Sequence, residues 1–334
     1  MTTTGTDDGQ IKAAFEELGA LENEFADVEL DALRRKEHSL TPLYARRAPI
    51  LQRIPDFWAT VFMNAPEEIS GLYSSADISA IAAIKDFKVE RYAISSETEG
   101  EPRSLRFTFD FASNDNFGAC TLVKEFEYKA STDRRGGPGA LVSKAVKIPW
   151  KNKKSDLTKG MLDMAVELEA AEETMKLKKG GEEVELVERE GLWQYGKLRE
   201  AIEKSEDAGD EEPTFLNWFG FRGAVEKRSE TKEANGDAVD EDDEEDDEWD
   251  DGLLDVEIFP AGEDLAIALA EDLWPEAIDI WMQANADDED DDSEGFEGFE
   301  EMEEDGDEAP ALVKADDEEG AEDEKPPKKR VRTG

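Results

Sequence analysis

Nucleophilic, acid–base or metal chemistry in this chain would have to start from His38 and Cys120, because its 334 residues contain one histidine and one cysteine. That pair cannot build a Cys/His zinc site, a paired-histidine metal site or an intrachain disulfide within one chain. His38 stands among the charged residues of a helical stretch and reads as a solvated side chain. Cys120 opens a strand with no histidine near it in sequence, which is the setting of an inert buried thiol. Gly136-Gly137-Pro138-Gly139 lacks the Lys-Ser or Lys-Thr that a phosphate-binding loop needs, so it reads as a turn. The Asp-rich runs lack the glycine and terminal glutamate spacing of a calcium loop. The expectation is therefore no catalysis, no cofactor and no specific metal site. A hydrolase would need a catalytic group that these residues do not supply.

Carboxylates are the group in excess: 87 Asp and Glu face 39 Lys and Arg, for a net charge of −48. They are unevenly placed, since Gly236 to Glu324 holds 42 acidic residues and one basic residue, Lys314. Such rows attract polycations over about 8 Å at physiological salt, and the attraction falls as salt is added. One run is Asp246, Asp247, Glu248, Trp249, Asp250 and Asp251. A longer one starts at Asp287, Asp288, Glu289, Asp290, Asp291 and Asp292 and continues past Phe296 and Phe299 to Glu300, Glu301, Glu303, Glu304 and Asp305. Charge runs that only solubilise are the alternative reading. Trp249, Phe296 and Phe299 argue against it, because an aromatic ring in a disordered acidic run has no core to join and can anchor in an apolar pocket of a basic partner. The chain ends in a basic segment with Lys328, Lys329, Arg330 and Arg332, which suits a nuclear-import signal read by an import receptor. A basic end folding back on the acidic tail is the other reading, and both can hold.

The net charge opposes tight, direct binding to DNA phosphates. No stretch of 18 apolar residues and no basic, then apolar, leader occurs, so neither membrane spanning nor secretion is expected. The setting expected is intracellular and reducing: the nucleus, with exchange to the cytoplasm.

The elements that must carry these charges follow from periodicity. Ala14, Leu18, Leu21, Phe25, Val28 and Ala32 alternate four and three residues apart, which predicts a helix over 10–53 with a seam that needs a partner helix. Packing on the helix's own domain is one solution. The length of the stripe, with no early second helix to receive it, favours self-association. Pro42 and Pro49 predict a bend in the second half. Phe57, Trp58, Val61 and Phe62 mark a short core helix, and Ile78, Ile81 and Ile84 another around 76–84.

Alternation then replaces helical spacing at Phe87 and Val89, at Leu105 to Phe111, at Leu122, Phe126 and Tyr128, and at Val142, Val146 and Ile148. Four consecutive strands joined by turn residues predict an antiparallel meander with one buried face. Ser155 is the expected cap of a helix through Leu157, Met161, Met164 and Leu168, with a further helix over 192–204. The aromatic cluster Phe215 to Phe219 must dock on the core. The organisation expected is a disordered 1–9, the long helix 10–53, an α+β domain 54–284 with a helical insert about 156–212 and an acidic loop about 235–251, a disordered acidic tail 285–324, and the basic segment 325–334.

In this order the elements resemble the nucleosome assembly protein family, in the branch of SET and template-activating-factor-like histone chaperones. The resemblance is carried by Leu51-Gln52-Arg53-Ile54-Pro55-Asp56-Phe57-Trp58, Phe62-Met63-Asn64-Ala65-Pro66, Leu122-Val123-Lys124-Glu125-Phe126 and Ile148-Pro149-Trp150-Lys151. Thr214-Phe215-Leu216-Asn217-Trp218-Phe219 and Asp272-Leu273-Trp274-Pro275-Glu276-Ala277-Ile278 complete it. It implies an α+β earmuff domain on a long dimerisation helix. It also implies a homodimer that binds core histones, either the tetramer-forming pair or the flanking pair, without catalysing a reaction. The same branch implies an alternative, an adaptor or inhibitor of a histone acetyltransferase or phosphatase. Pro49, the long insert and the acidic run Asp237 to Asp251 depart from the family pattern.

Overall fold

The computed structural model describes residues 5–130, 139–180, 184, 186–208, 214–223 and 255–291; within these spans side chains are described from residue 9 to residue 286, Lys12, Glu16, Leu186, Asp207 and Ala208 excepted. Helix α1 runs from Gly5 to Leu51 and passes through Pro42 and Pro49 without interruption. It carries two different faces in sequence. Up to Val28 its described apolar side chains are exposed, whereas from Arg34 onward it is fastened to the domain. There Leu51 is buried, Arg34 Nε donates to the Gly100 carbonyl at 2.8 Å, and the Arg47 guanidinium lies 4.2 Å from the Trp274 ring centroid while donating to the Trp274 carbonyl.

Short helices α2 (Phe57–Met63), α3 (Glu67–Ser70) and α4 (Ile78–Ile81) follow, and then the sheet: β1 (Ile84–Glu90), β2 (Leu105–Phe111), β3 (Cys120–Lys129) and β4 (Ala140–Ser143). The four strands are antiparallel neighbours in chain order, the meander that the alternation predicts. Phe107, Phe109 and Phe111 all face inward because strand side chains alternate, and Phe87, Phe126, Phe62 and Trp58 close around them. After the sheet come α5 (Met161–Lys178), α6 (Leu186–Glu190), α7 (Trp193–Ala208) and a 3₁₀ turn, Phe215–Gly220. The final helical rod is α8 (Gly262–Ala268), a π-turn Leu269–Leu273, and α9 (Trp274–Asp291).

The aromatic cluster docks as its composition requires. Trp218 is fully buried, touches the rings of Phe107, Phe109 and Phe126, and donates its indole N–H to the Gly262 carbonyl at 2.9 Å. Trp218→Ala is expected to cost about 3–5 kcal/mol, read as a lowered urea midpoint. Asp77 pins the same turn from the other side, accepting from Phe215 N at 2.9 Å and from Thr214 Oγ1.

Four expectations need correction. Ile78 points to solvent, and Ile84 is buried as the first residue of β1 rather than in a helix, because the buried Asp77 carboxylate fixes the preceding turn and leaves Ala80 and Ile81 as the inward residues of α4. In β4 the buried residue is Leu141, not Val142, since the register pairs Leu141 with Tyr128; the strand ends at Ser143, so Val146 and Ile148 lie beyond it. Ser155 is no helix cap. Lys159 and Gly160 take positive φ angles of 53° and 89°, which delays α5 to Met161, and Thr158 Oγ1 accepts from Leu162 N at 3.4 Å. In the last helices Ile267 and Ile278 are exposed. Helix α9 extends to Asp291, so the backbone of Asp287 to Asp291 is helical where a disordered tail is expected.

Candidate functional site

All six seam residues lie on α1 with Ala14, Leu18, Leu21, Phe25, Val28 and Ala32 exposed, Phe25 by 57% and Val28 by 69%. Apolar side chains this open, repeated over about five turns, form a stripe of the kind that marks an interface. Ile11 extends the heptad toward the N-terminus, and Phe15, 68% exposed, flanks it. Sequence reasoning missed both, although Ile11 stands seven residues before Leu18 and continues the same period.

His38 is half-buried on α1 and lines a groove of about 850 Å³ beside Tyr44, Trp58, Arg91 and Trp274. Cys120 is half-exposed at the start of β3, and burial, then the Asp110 carboxylate, pushes its thiol pKa up, away from the reactive thiolate. Among the described residues no cluster of His, Cys, Asp or Glu is placed to hold a metal ion, and no helix is long and apolar enough to cross a membrane.

The most unusual electrostatic feature is Lys124, at an inward position of β3 between Leu122 and Phe126. It is completely buried, and its Nζ donates to the carbonyls of Lys144 at 2.7 Å, Phe219 at 3.2 Å and Phe221 at 2.5 Å. Burial pulls its pKa down to about 7, while Glu257 and Glu169 push it back up. Three carbonyl acceptors also favour the ammonium, because a neutral amine has only two N–H groups to offer. Glu257 is buried next to it and accepts from Arg222 N at 2.9 Å, Gly223 N at 3.3 Å and Phe259 N at 3.1 Å; burial raises its pKa. This pair of charges ties β3 to the segments on either side of residues 224–254. Alternation at Leu122 and Phe126 could have flagged Lys124 as an inward charge.

Asp246, Asp247, Glu248 and Trp249 lie outside the described residues. So do Asp292, Phe296, Phe299, Glu300, Glu301, Glu303, Glu304, Asp305, Lys328, Lys329, Arg330 and Arg332. For Asp287, Asp288, Glu289, Asp290 and Asp291 only the helical backbone is described.

A long helix with an exposed apolar stripe, followed by an α+β domain, is the architecture of this chain. Residues 17–284 match the family model described as nucleosome assembly protein, and the chain belongs to that family. A putative nucleosome assembly protein of Schizosaccharomyces pombe is 33% identical over 149 residues, 42% of this chain and 59% of that protein. Protein SET of Drosophila melanogaster is 31% identical over 147 residues, 44% of this chain and 51% of that protein. The chain thus spans little more than half the length of these relatives. Among solved structures, Vps75 superposes with a TM-score of 0.50 at 20% identity, covering 82% of this chain and 99% of that one. A Ccp1 mutant gives 0.50 at 24% identity, covering 84% and 99%. The earmuff fold, with its long N-terminal helix, is the fold of this chain.

Proposed function

We propose that the chain is a histone chaperone: a homodimer in the nucleus that binds core histones, shields their positive charge, and passes them to or takes them from DNA. The observation that carries this reading is the family match across residues 17–284. The charge distribution supports it, because 42 acidic residues between Gly236 and Glu324 suit a strongly basic partner. The seam on α1 would pair the two copies. The folded domain would supply shape, and the acidic run at Asp246 to Glu248 and the tail from Asp287 would compete with DNA for basic side chains. Phe296 and Phe299 would serve as anchors, and Lys328 to Arg332 would engage an import receptor. No covalent step is required.

The test is binding of each histone pair, and of a control protein of similar positive charge, at about 0.15 and 0.3 M salt, to the full chain and to a chain ending at Asp291. A preference for one histone pair that survives both salt and tail loss is expected. If every basic protein binds alike and binding disappears with the tail, the acid is a bare polyanion, and an adaptor or inhibitor of a histone acetyltransferase or phosphatase becomes the better reading.

A further inference from the structure

The sheet order puts β1 at a border: one edge pairs with β2, and among the described residues no strand pairs with the other. That second edge looks onto the groove of about 850 Å³ in which His38 stands. Every residue from Asp86 to Tyr92 lines this groove, odd and even positions alike. Side chains of a strand alternate between two faces, so an unbroken run of lining residues means that the backbone edge itself forms the wall. Phe87 N donates to the carboxylate of Asp86 at 2.9 Å. In an antiparallel pair only alternate residues bond to the partner strand, so Phe87 and Val89 turn their N–H and C=O groups toward the groove while Asp86, Lys88 and Glu90 bond to β2. The opposite wall is α1, through His38, Thr41, Tyr44, Ala45 and Ala48. A border strand that faces a helix across an open groove is the arrangement in which an extended peptide adds as one more strand.

We propose that the groove between α1 and β1 binds an extended acidic segment of another protein as a fifth strand of the sheet. The charges around the groove select the sign of the ligand. Its lining carboxylates are already engaged. Glu37 lies 3.7 Å from both Lys36 and Arg91, Glu90 lies 2.7 Å from Lys88, and Asp86 accepts from Gln52 Nε2 at 3.1 Å and from Phe87 N. The cations at the rim are different. Arg35 and Arg46 are exposed on the ridge of α1 that passes through His38 and Pro42 in steps of three and four residues, and Lys85 is exposed beside Asp86. None of these three forms an ion pair among the described residues. An added strand alternates its side chains as β1 does. Apolar residues at every second position meet Tyr44, Val89 and Trp274, and the carboxylates between them face the rim with Arg35, Arg46 and Lys85. A helical ligand would leave the edge of β1 unused, because its own backbone N–H and C=O groups are spent within the helix. The inference goes beyond the histone reading: the ligand is acidic, and the groove lies on the part of α1 that is fastened to the domain, beyond the seam.

The experiment adds a short capped peptide, in which glutamate alternates with phenylalanine and valine, to the full chain, and reads amide hydrogen exchange at Val89 together with peptide affinity. Exchange at Val89 is expected to slow severalfold at saturation, and unchanged exchange overturns the proposal. Two further peptides carry N-methyl groups on one or the other alternate set of amides. Only the set turned toward β1 should lose binding, since a strand edge reads one set of amides; equal affinities for the two overturn the added strand. Arg35→Glu combined with Arg46→Glu should weaken the acidic peptide by about tenfold at low salt with the thermal melt unaltered, and an undiminished affinity overturns the choice of an acidic ligand. Should that variant melt lower, a counterpart peptide with lysine in place of glutamate decides: it is expected to leave exchange at Val89 unchanged, and protection equal to that given by the acidic peptide overturns the charge assignment. Failure in any arm leaves the histone reading untouched, because no histone is present.

Discussion

Leu21→Glu combined with Phe25→Glu is expected to turn the proposed dimer into a monomer at micromolar concentration. In a symmetric seam the two substitutions remove four large apolar side chains, each worth roughly 1.5–3 kcal/mol when buried, or about 6–12 kcal/mol in all. Four introduced carboxylates would add a desolvation cost wherever the seam closed. A loss of that size exceeds what a helix pair of ordinary affinity can absorb, since about 8 kcal/mol corresponds to a micromolar dissociation constant. The domain should be unaffected, because both residues lie on the exposed third of α1, away from the anchoring contacts of Arg34, Arg47 and Leu51. Light scattering decides the matter: a dimer mass for the double variant would place the interface elsewhere.

Lys124→Met is the second large effect, this time on folding. Methionine roughly matches the lysine stem in volume but donates nothing. The Phe219 carbonyl keeps the amide of Val146 at 2.7 Å and the Lys144 carbonyl keeps a longer contact with Ser143 Oγ at 3.4 Å, whereas Phe221 O loses the donor that holds it. Glu257 at the same time loses its nearest opposite charge. Orphaned buried acceptors cost about 1–3 kcal/mol each, so a total near 3 kcal/mol or more is expected, a large share of a typical folding free energy of roughly 5–15 kcal/mol. The pH dependence has a definite sign. A lysine whose folded pKa lies below its unfolded value of 10.5 leaves the unfolded chain binding more protons between about 7 and that value. Wild-type stability measured relative to Lys124→Met should therefore rise with pH across that window and flatten below it. Equal melting temperatures for the two proteins, or a difference that shrinks as pH rises, would refute this account of the buried ammonium.

The readable parts of the sequence were those where one physical rule acts alone. Phe107, Phe109 and Phe111 face inward because a strand alternates, and the seam from Ala14 to Ala32 is regular because nothing interrupts the helix there. The misread positions are those where a neighbour overrules the local pattern. Val142 looks as apolar as Leu141, and only pairing with β3 decides which faces the core. Ser155 is a good cap by type, yet the left-handed turn at Lys159 and Gly160 postpones the helix past its reach. Ile78 fits a helical core period but is turned outward by a carboxylate bonded across more than a hundred residues of chain. The exposed apolar stripe on α1 could be read directly. The exposure of Ile267 and Ile278 could not, since only the π-turn and the packing of α9 against α2 show which side of the last helices remains open.

The free side of β4 is closed by the strand-like contacts of a distant segment: Ser143 N donates to the Arg222 carbonyl and Val146 N to that of Phe219. During synthesis these partners leave the ribosome about 75 residues after β4, a delay of several seconds at ordinary elongation rates of about 5–20 residues per second. For that interval the nascent chain would expose a phenylalanine-rich sheet with an unpaired border, the form most prone to joining another sheet. Newly made copies should therefore depend on cellular holding factors until Phe219 emerges, and a ribosomal pause placed between the codons for residues 143 and 219 should lower the yield of soluble protein even though the finished sequence is unchanged.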